Sequence, residues 1–96
     1  MTSSGPLTLD STIARSASAL SADVGSQVVM LIPERNAYFD ANDMGSRLWR
    51  ETQEARTIRA ICDSVLDHFD VERARGEAEV LAFFELALRE GLIDVV

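Results

Sequence analysis

The sequence predicts an α+β fold in which a three-stranded antiparallel sheet is followed by three helices. Residues 27–32 read Q-V-V-M-L-I and are stopped by Pro33; an uninterrupted apolar, β-branched run of that length suits a central strand. Ile58, Ile61, Cys62, Val65, Leu66 and Phe69 recur at i, i+3, i+4, i+7, i+8 and i+11, the stripe of an amphipathic helix. The chain has 96 residues, 47% of them apolar, enough to close one modest core and too few for a second domain.

Residues 1–10 carry Ser, Thr, Gly5 and Pro6 without periodicity and read as a flexible N-terminal arm, leaving 11–96 as the folded domain. Ile13, Arg15 and Ala17 alternate with small polar residues, as in a partly exposed first strand, and Asp23 and Gly25 place a turn within 21–26. The second strand is 27–32. Pro33, Glu34, Arg35 and Asn36 make a compact turn, after which Ala37, Tyr38, Phe39 and Asp40 return antiparallel to it. In this meander the third strand lies at an edge, with one side of its backbone unpaired.

Asn42 can cap a helix over 42–52, in which Met44, Leu48 and Trp49 share a face and Gly45 permits a close approach. Thr57 caps the second helix. The third runs over 71–90, with Gly91 as its C-terminal cap, and 92–96 is a last extended segment. Val80, Leu81, Phe84 and Leu88 cluster on one side of the third helix, whereas Phe83 and Leu86 fall on an adjoining face with Glu79 and Glu90. A second apolar face implies either further packing or a partly open groove.

The 9 basic residues are all Arg and face 16 acidic ones, a formal charge of -7. A nucleic-acid backbone needs clustered cations. The local group Arg47, Arg50, Arg56 and Arg59 is interrupted by Glu51, Glu54 and Asp63, which suits surface ion pairs or a docking patch for an acidic protein better than DNA. A winged helix-turn-helix regulator shares the ingredients of three helices and a small sheet, and is the structural competitor; its last helix would not be acid-rich.

Catalytic chemistry has little to work with. Cys62 and His68 are the single Cys and His, and six residues along one helix set them about 240° apart around its axis. Cys62 reads as a small core residue and His68 as a helix-end residue. One cysteine allows no intramolecular disulfide and no zinc quartet. No metal-loop motif or Gly-rich phosphate loop occurs, so no metal, cofactor or catalytic residue is expected. The first residues lack a signal-peptide pattern and no run is long enough to span a membrane, which predicts a cytoplasmic protein.

The stretch from Phe39 to Trp49, F-D-A-N-D-M-G-S-R-L-W, resembles the PqqD family, whose pattern is an aromatic, any residue, Leu, Asn, two residues, Gly, two residues, an aliphatic and Trp. Phe39, Asn42, Gly45, Leu48 and Trp49 match it; Ala41 departs from it. The segments R-T-I-R-A-I-C-D-S-V-L-D-H-F-D-V and E-A-E-V-L-A-F-F-E-L-A-L-R-E-G-L-I are similar to the family's later helices, so the resemblance covers 27–96. It implies a non-catalytic domain with a winged helix-turn-helix-like fold, a recognition element for the leader of ribosomally made, modified peptides. The leader would add as a strand at Ala37, Tyr38, Phe39 and Asp40, against a groove wall of Glu79, Phe83, Leu86 and Ala87. The implied partners are a precursor leader peptide and a maturation enzyme, the leader protease of a lasso-peptide pathway or a radical SAM enzyme. The expected state is a monomer, with a weak homodimer through the open edge as the alternative.

Overall fold

The computed structural model describes residues 7–96. Its elements are β1 (Thr12–Arg15), β2 (Leu20–Val24), β3 (Gln27–Ile32), β4 (Ala37–Asp40), α1 (Asp43–Arg50), β5 (Arg56–Thr57), α2 (Ile58–Val65), α3 (Arg73–Arg89) and β6 (Ile93–Val95). They build two antiparallel sheets, ordered β2-β3-β4 and β5-β1-β6. The α+β class, and a three-stranded meander followed by three helices, are as the sequence predicts.

The meander begins one element later than expected. The strand read at Ile13 is β1, which leaves the meander altogether, and the segment read as a turn supplies β2. Only Gly25 and Ser26 turn: Val24 pairs with Gln27 across them. Gly25 has φ +67°, the left-handed backbone that a two-residue hairpin favours at its first position. Leu20, Ala22 and Val24 alternate with Ser21 and Asp23, a period-two pattern masked by small turn-forming side chains. β3 and β4 join through a 3-10 turn, Pro33–Arg35, closed by Asn36 at φ 52°, a conformation Asn tolerates.

β1 finds partners far along the chain. Ile13 pairs with Arg56 on one side and Val95 on the other, and its side chain is completely buried. Beside it the Arg15 guanidinium lies 4.3 Å over the Trp49 ring. It donates to the Trp49 carbonyl at 2.9 Å and to Thr52 Oγ1 at 3.0 Å. Burial lowers the Arg15 pKa, and the cation is retained because a guanidinium starts far above neutrality.

The helix caps fall where expected. Asn42 Oδ1 accepts from the Gly45 N–H at 2.8 Å and Thr57 Oγ1 from the Ala60 N–H at 3.1 Å. α1 stops at Arg50 and continues only as a 3-10 turn, Glu51–Gln53; α2 likewise tightens into Leu66–His68, which leaves Phe69 beyond the helix. α3 closes with two reversed bonds, Leu92 N–H to the Ala87 carbonyl at 2.8 Å and Gly91 N–H to the Leu88 carbonyl at 3.2 Å. With Gly91 at φ +84°, this is a Schellman cap, and it turns the chain into β6.

One core joins the sheets and helices, centred on Ile13, Met30, Trp49, Ile61, Val80 and Phe84. Cys62 belongs to it, and burial pushes its thiol pKa up, away from the reactive thiolate. Of the segment expected as a flexible arm, residues 1–6 lie outside the described residues. Within residues 7–10, Leu7 is buried, Leu9 is half-buried and the Leu9 carbonyl accepts from the Arg59 N–H at 2.8 Å. An apolar side chain at position 7 and a free amide at the start of α2 explain why the fold reaches back past residue 11. Among the described residues, no helix is long and apolar enough to cross a membrane.

Candidate functional site

β4 is one edge strand of its sheet and β2 the other, and the register decides which of the β4 backbone groups stay open. The hairpin pair Val24 and Gln27 sets the alternation along β3, so Val28, Met30 and Ile32 bond toward β4. Their opposite numbers are Phe39 and Ala37. The N–H and C=O groups of Tyr38 and Asp40 therefore point away from the sheet.

A buried hydroxyl ends the pairing. Ser46 Oγ accepts from the Val28 N–H at 2.9 Å and donates to the Ala41 carbonyl at 3.3 Å, while the Ala41 N–H reaches the Val28 carbonyl at 3.1 Å. The last rung is thus split by a side chain from α1. Beyond it the chain leaves the sheet and enters the helix at Asn42.

Alongside the open edge runs a groove of about 470 Å³, lined by Met30, Tyr38, Phe39, Asp40, Asn42, Phe83, Leu86, Ala87 and Leu92. α3 forms its wall because two faces of that helix are apolar. Gly76, Val80, Phe84 and Ala87 are buried in the core, and the adjoining Phe83 and Leu86 stay half-buried and exposed. Phe83 meets Phe84 edge-to-face, with ring centroids 5.1 Å apart. Its ring comes close to α1 because position 45 is glycine: a Cβ there would stand 3.0 Å from Phe83 Cε1 and 3.2 Å from the Ala41 Cβ. Small residues at 41 and 45 thus make room for the Phe83 ring.

The far end of the groove is tied. Arg35, from the turn before β4, donates through Nη1 to the Glu90 carbonyl at 2.6 Å and lies 3.5 Å from the Glu90 carboxylate. That bond satisfies a terminal carbonyl of α3 and places a cation at its negative end. It also holds the helix against the strand whose edge is open.

Of the residues read from the sequence, Tyr38, Phe39, Asp40, Phe83, Leu86 and Ala87 converge on this groove. Ala37 contributes to β4 without lining it. Glu79 lies beyond Phe83, in a smaller depression of about 140 Å³ shared with Asn42, Met44, Gly45 and Leu48, and pairs with Arg75 at 3.4 Å. Sequence reasoning missed Met30, Asn42 and Leu92 as lining residues, which reach the groove from β3, from the cap of α1 and from the turn after α3. Met30 was legible as the inward partner of Phe39; nothing local marks Leu92.

Three of the four arginines in the cluster pair with carboxylates. Arg50 meets Asp23 at 3.2 Å, Arg59 meets Asp10 at 2.9 Å and Arg56 bonds Glu51. Such exposed pairs contribute little to stability, and they leave a weaker footprint for a phosphate backbone. Among the described residues, no three His, Cys, Asp or Glu side chains gather as metal ligands.

No curated protein matches the chain. Two solved structures share its fold. One is TbiB1 in complex with the TbiA(beta) leader peptide, 25% identical, covering 84% of this chain and 94% of that one with a TM-score of 0.78. The other is lasso peptide synthetase B1 complexed with the leader peptide, 15% identical, covering 85% and 96% with a TM-score of 0.75. The family model described as coenzyme PQQ synthesis protein D (PqqD) matches residues 27–93, a span that holds β3, β4 with its open edge and all three helices. The chain belongs to the PqqD family.

Proposed function

We propose that this chain is a cytoplasmic, non-catalytic adaptor. It binds the leader of a ribosomally made precursor peptide and presents the precursor to a separate maturation enzyme, the leader protease of lasso-peptide biosynthesis. The observation that carries the reading is an open strand edge running beside an apolar groove. The open N–H and C=O groups of Tyr38 and Asp40 would bond an incoming strand, whose inward side chains would enter the space between Phe39, Phe83 and Leu86. The TbiB1 complex, at 25% identity, supports a leader peptide as the occupant. A PqqD-type role beside a radical SAM enzyme uses the same groove and differs in the enzyme served.

The test is an amide NMR titration of the purified chain with the leader of the precursor encoded beside it. Shifts concentrated at Tyr38, Asp40 and along Phe83 to Ala87 are expected. Saturation with shifts confined to α1 and α2, or no response at millimolar peptide, would sink the reading.

A further inference from the structure

Strand addition at β4 leaves the register of the incoming peptide undecided. Only Tyr38 and Asp40 turn their N–H and C=O groups outward, so a strand slipped by two residues makes the same bonds and presents the same face. A further contact must choose between them. The groove lining carries a single charge, Asp40, at the end where β4 leaves the sheet. The opposite end, where the turn Pro33–Arg35 meets the last turn of α3, is cationic in a chain of net charge -7.

Two arginines make it so. The Arg35 guanidinium is fixed by its 2.6 Å bond to the Glu90 carbonyl, yet its side chain is 53% exposed. Its other edge is loosely held: Nη2 stands 3.5 Å from Glu90 Oε1, beyond the roughly 2.8 Å of a good charge-assisted bond. Arg89 follows Leu86 by one turn on the exposed side of α3, and among the described residues no carboxylate lies within ion-pair reach of it. Arg50, Arg56, Arg59 and Arg73, in contrast, are matched to carboxylates away from the groove. Arg35 and Arg89 together outweigh the Glu90 carboxylate.

We propose that Arg35 and Arg89 form an anion subsite that takes an acidic side chain of the leader and thereby sets the register of the strand. The inference rests on leader binding by strand addition. In an added strand the residue opposite Tyr38 points outward and its neighbours point into the groove. Counting from it toward the Arg35 end, the third leader residue lies about 10 Å on and again points inward. There β4 has given way to its turn, and that residue meets the Arg35 side chain. A carboxylate finds a guanidinium fork already oriented by the Glu90 carbonyl. It displaces the Glu90 carboxylate from Nη2, and Arg89 adds attraction at longer range. A leader slipped by two residues one way drags the carboxylate in among Phe83 and Leu86, which costs desolvation. Slipped the other way, it leaves the cations behind.

The experiment is isothermal titration of the full chain with the leader of the precursor encoded beside it, and with leaders in which each acidic residue in turn becomes its amide. One such replacement should weaken binding about fivefold, and NMR contacts should place that residue third from the partner of Tyr38. With the unaltered leader, Arg35→Gln should lose about fivefold and the fully exposed change Arg89→Gln about twofold. Glu90→Gln should tighten binding, since it removes the competing carboxylate. Parent and Arg35→Gln should bind the amide leader equally, a coupling that a merely structural Arg35 would not produce. Added salt should narrow the gap between acidic and amide leaders. A leader without an acidic residue, no loss with any amide leader, or an Arg35→Gln variant that weakens acidic and amide leaders alike would overturn the subsite and leave strand addition standing. Failure of the parent to bind any leader would overturn both.

Discussion

The two three-stranded sheets differ in how they are made and in what they leave open. In β2-β3-β4 each strand pairs with its neighbour in sequence through a short turn. In β5-β1-β6 the central strand holds together segments from the start, middle and end of the described chain. The second sheet closes the domain: Ile13 is sealed and its outer strands are only two and three residues long. The first is displayed, with a free edge and an apolar outer face. Local pairing makes this possible, because a meander is complete without its last edge, whereas the closing sheet exists only when its remote partners arrive.

Mutations should separate closing from displaying. The largest effect belongs to the closing sheet: Ile13→Ala removes a fully buried side chain and should lower unfolding free energy by about 3 kcal/mol. Urea denaturation checks it, and a loss below about 1 kcal/mol would mean that β1 is not a structural keystone. On the displayed side, Phe83→Asp should cost about 2 kcal/mol of leader affinity by isothermal titration while the circular dichroism melt stays cooperative. Unfolding of that variant, or normal binding, would show that Phe83 is core and not groove. Tyr38→Pro removes an N–H that faces away from β3, which an edge strand tolerates. It should leave the fold intact and weaken leader binding about tenfold, more than Tyr38→Ala does. Glu79→Gln should change leader affinity by less than about 0.5 kcal/mol, since its carboxylate is exposed and paired with Arg75. A larger loss would extend the reading surface past Phe83.

Legibility followed the same division. β3, the caps at Asn42 and Thr57, the Gly91 terminus and the two faces of α3 are local patterns, and the sequence announces each of them. The open edge and the groove residues Phe83 and Leu86 follow from periodicity once the strand and helix are placed, whereas Ala87 enters only through the family resemblance. β2 was hidden by Ser21 and Asp23, whose turn preference outweighed a correct alternation. The pairing of β1 with β5 and β6 was not legible, since register between segments about 40 and 80 residues apart depends on the whole core. The bonds of Arg35 to Glu90 and Ser46 to Val28 and Ala41 were invisible for the same reason, although they fix where the groove begins and ends.

The Ser46 hydroxyl has an effect on colloidal behaviour as well. By closing β4 after Asp40, it leaves an edge on which only Tyr38 and Asp40 turn their amides and carbonyls outward. Long flat edges seed sheet-to-sheet aggregation, and short ones do not. Two outward residues offer another copy of the chain too few rungs to grow a fibre, whereas a leader can add contacts from the groove to the same few rungs. At the β4 edge, pairing between copies is thereby limited to a few rungs.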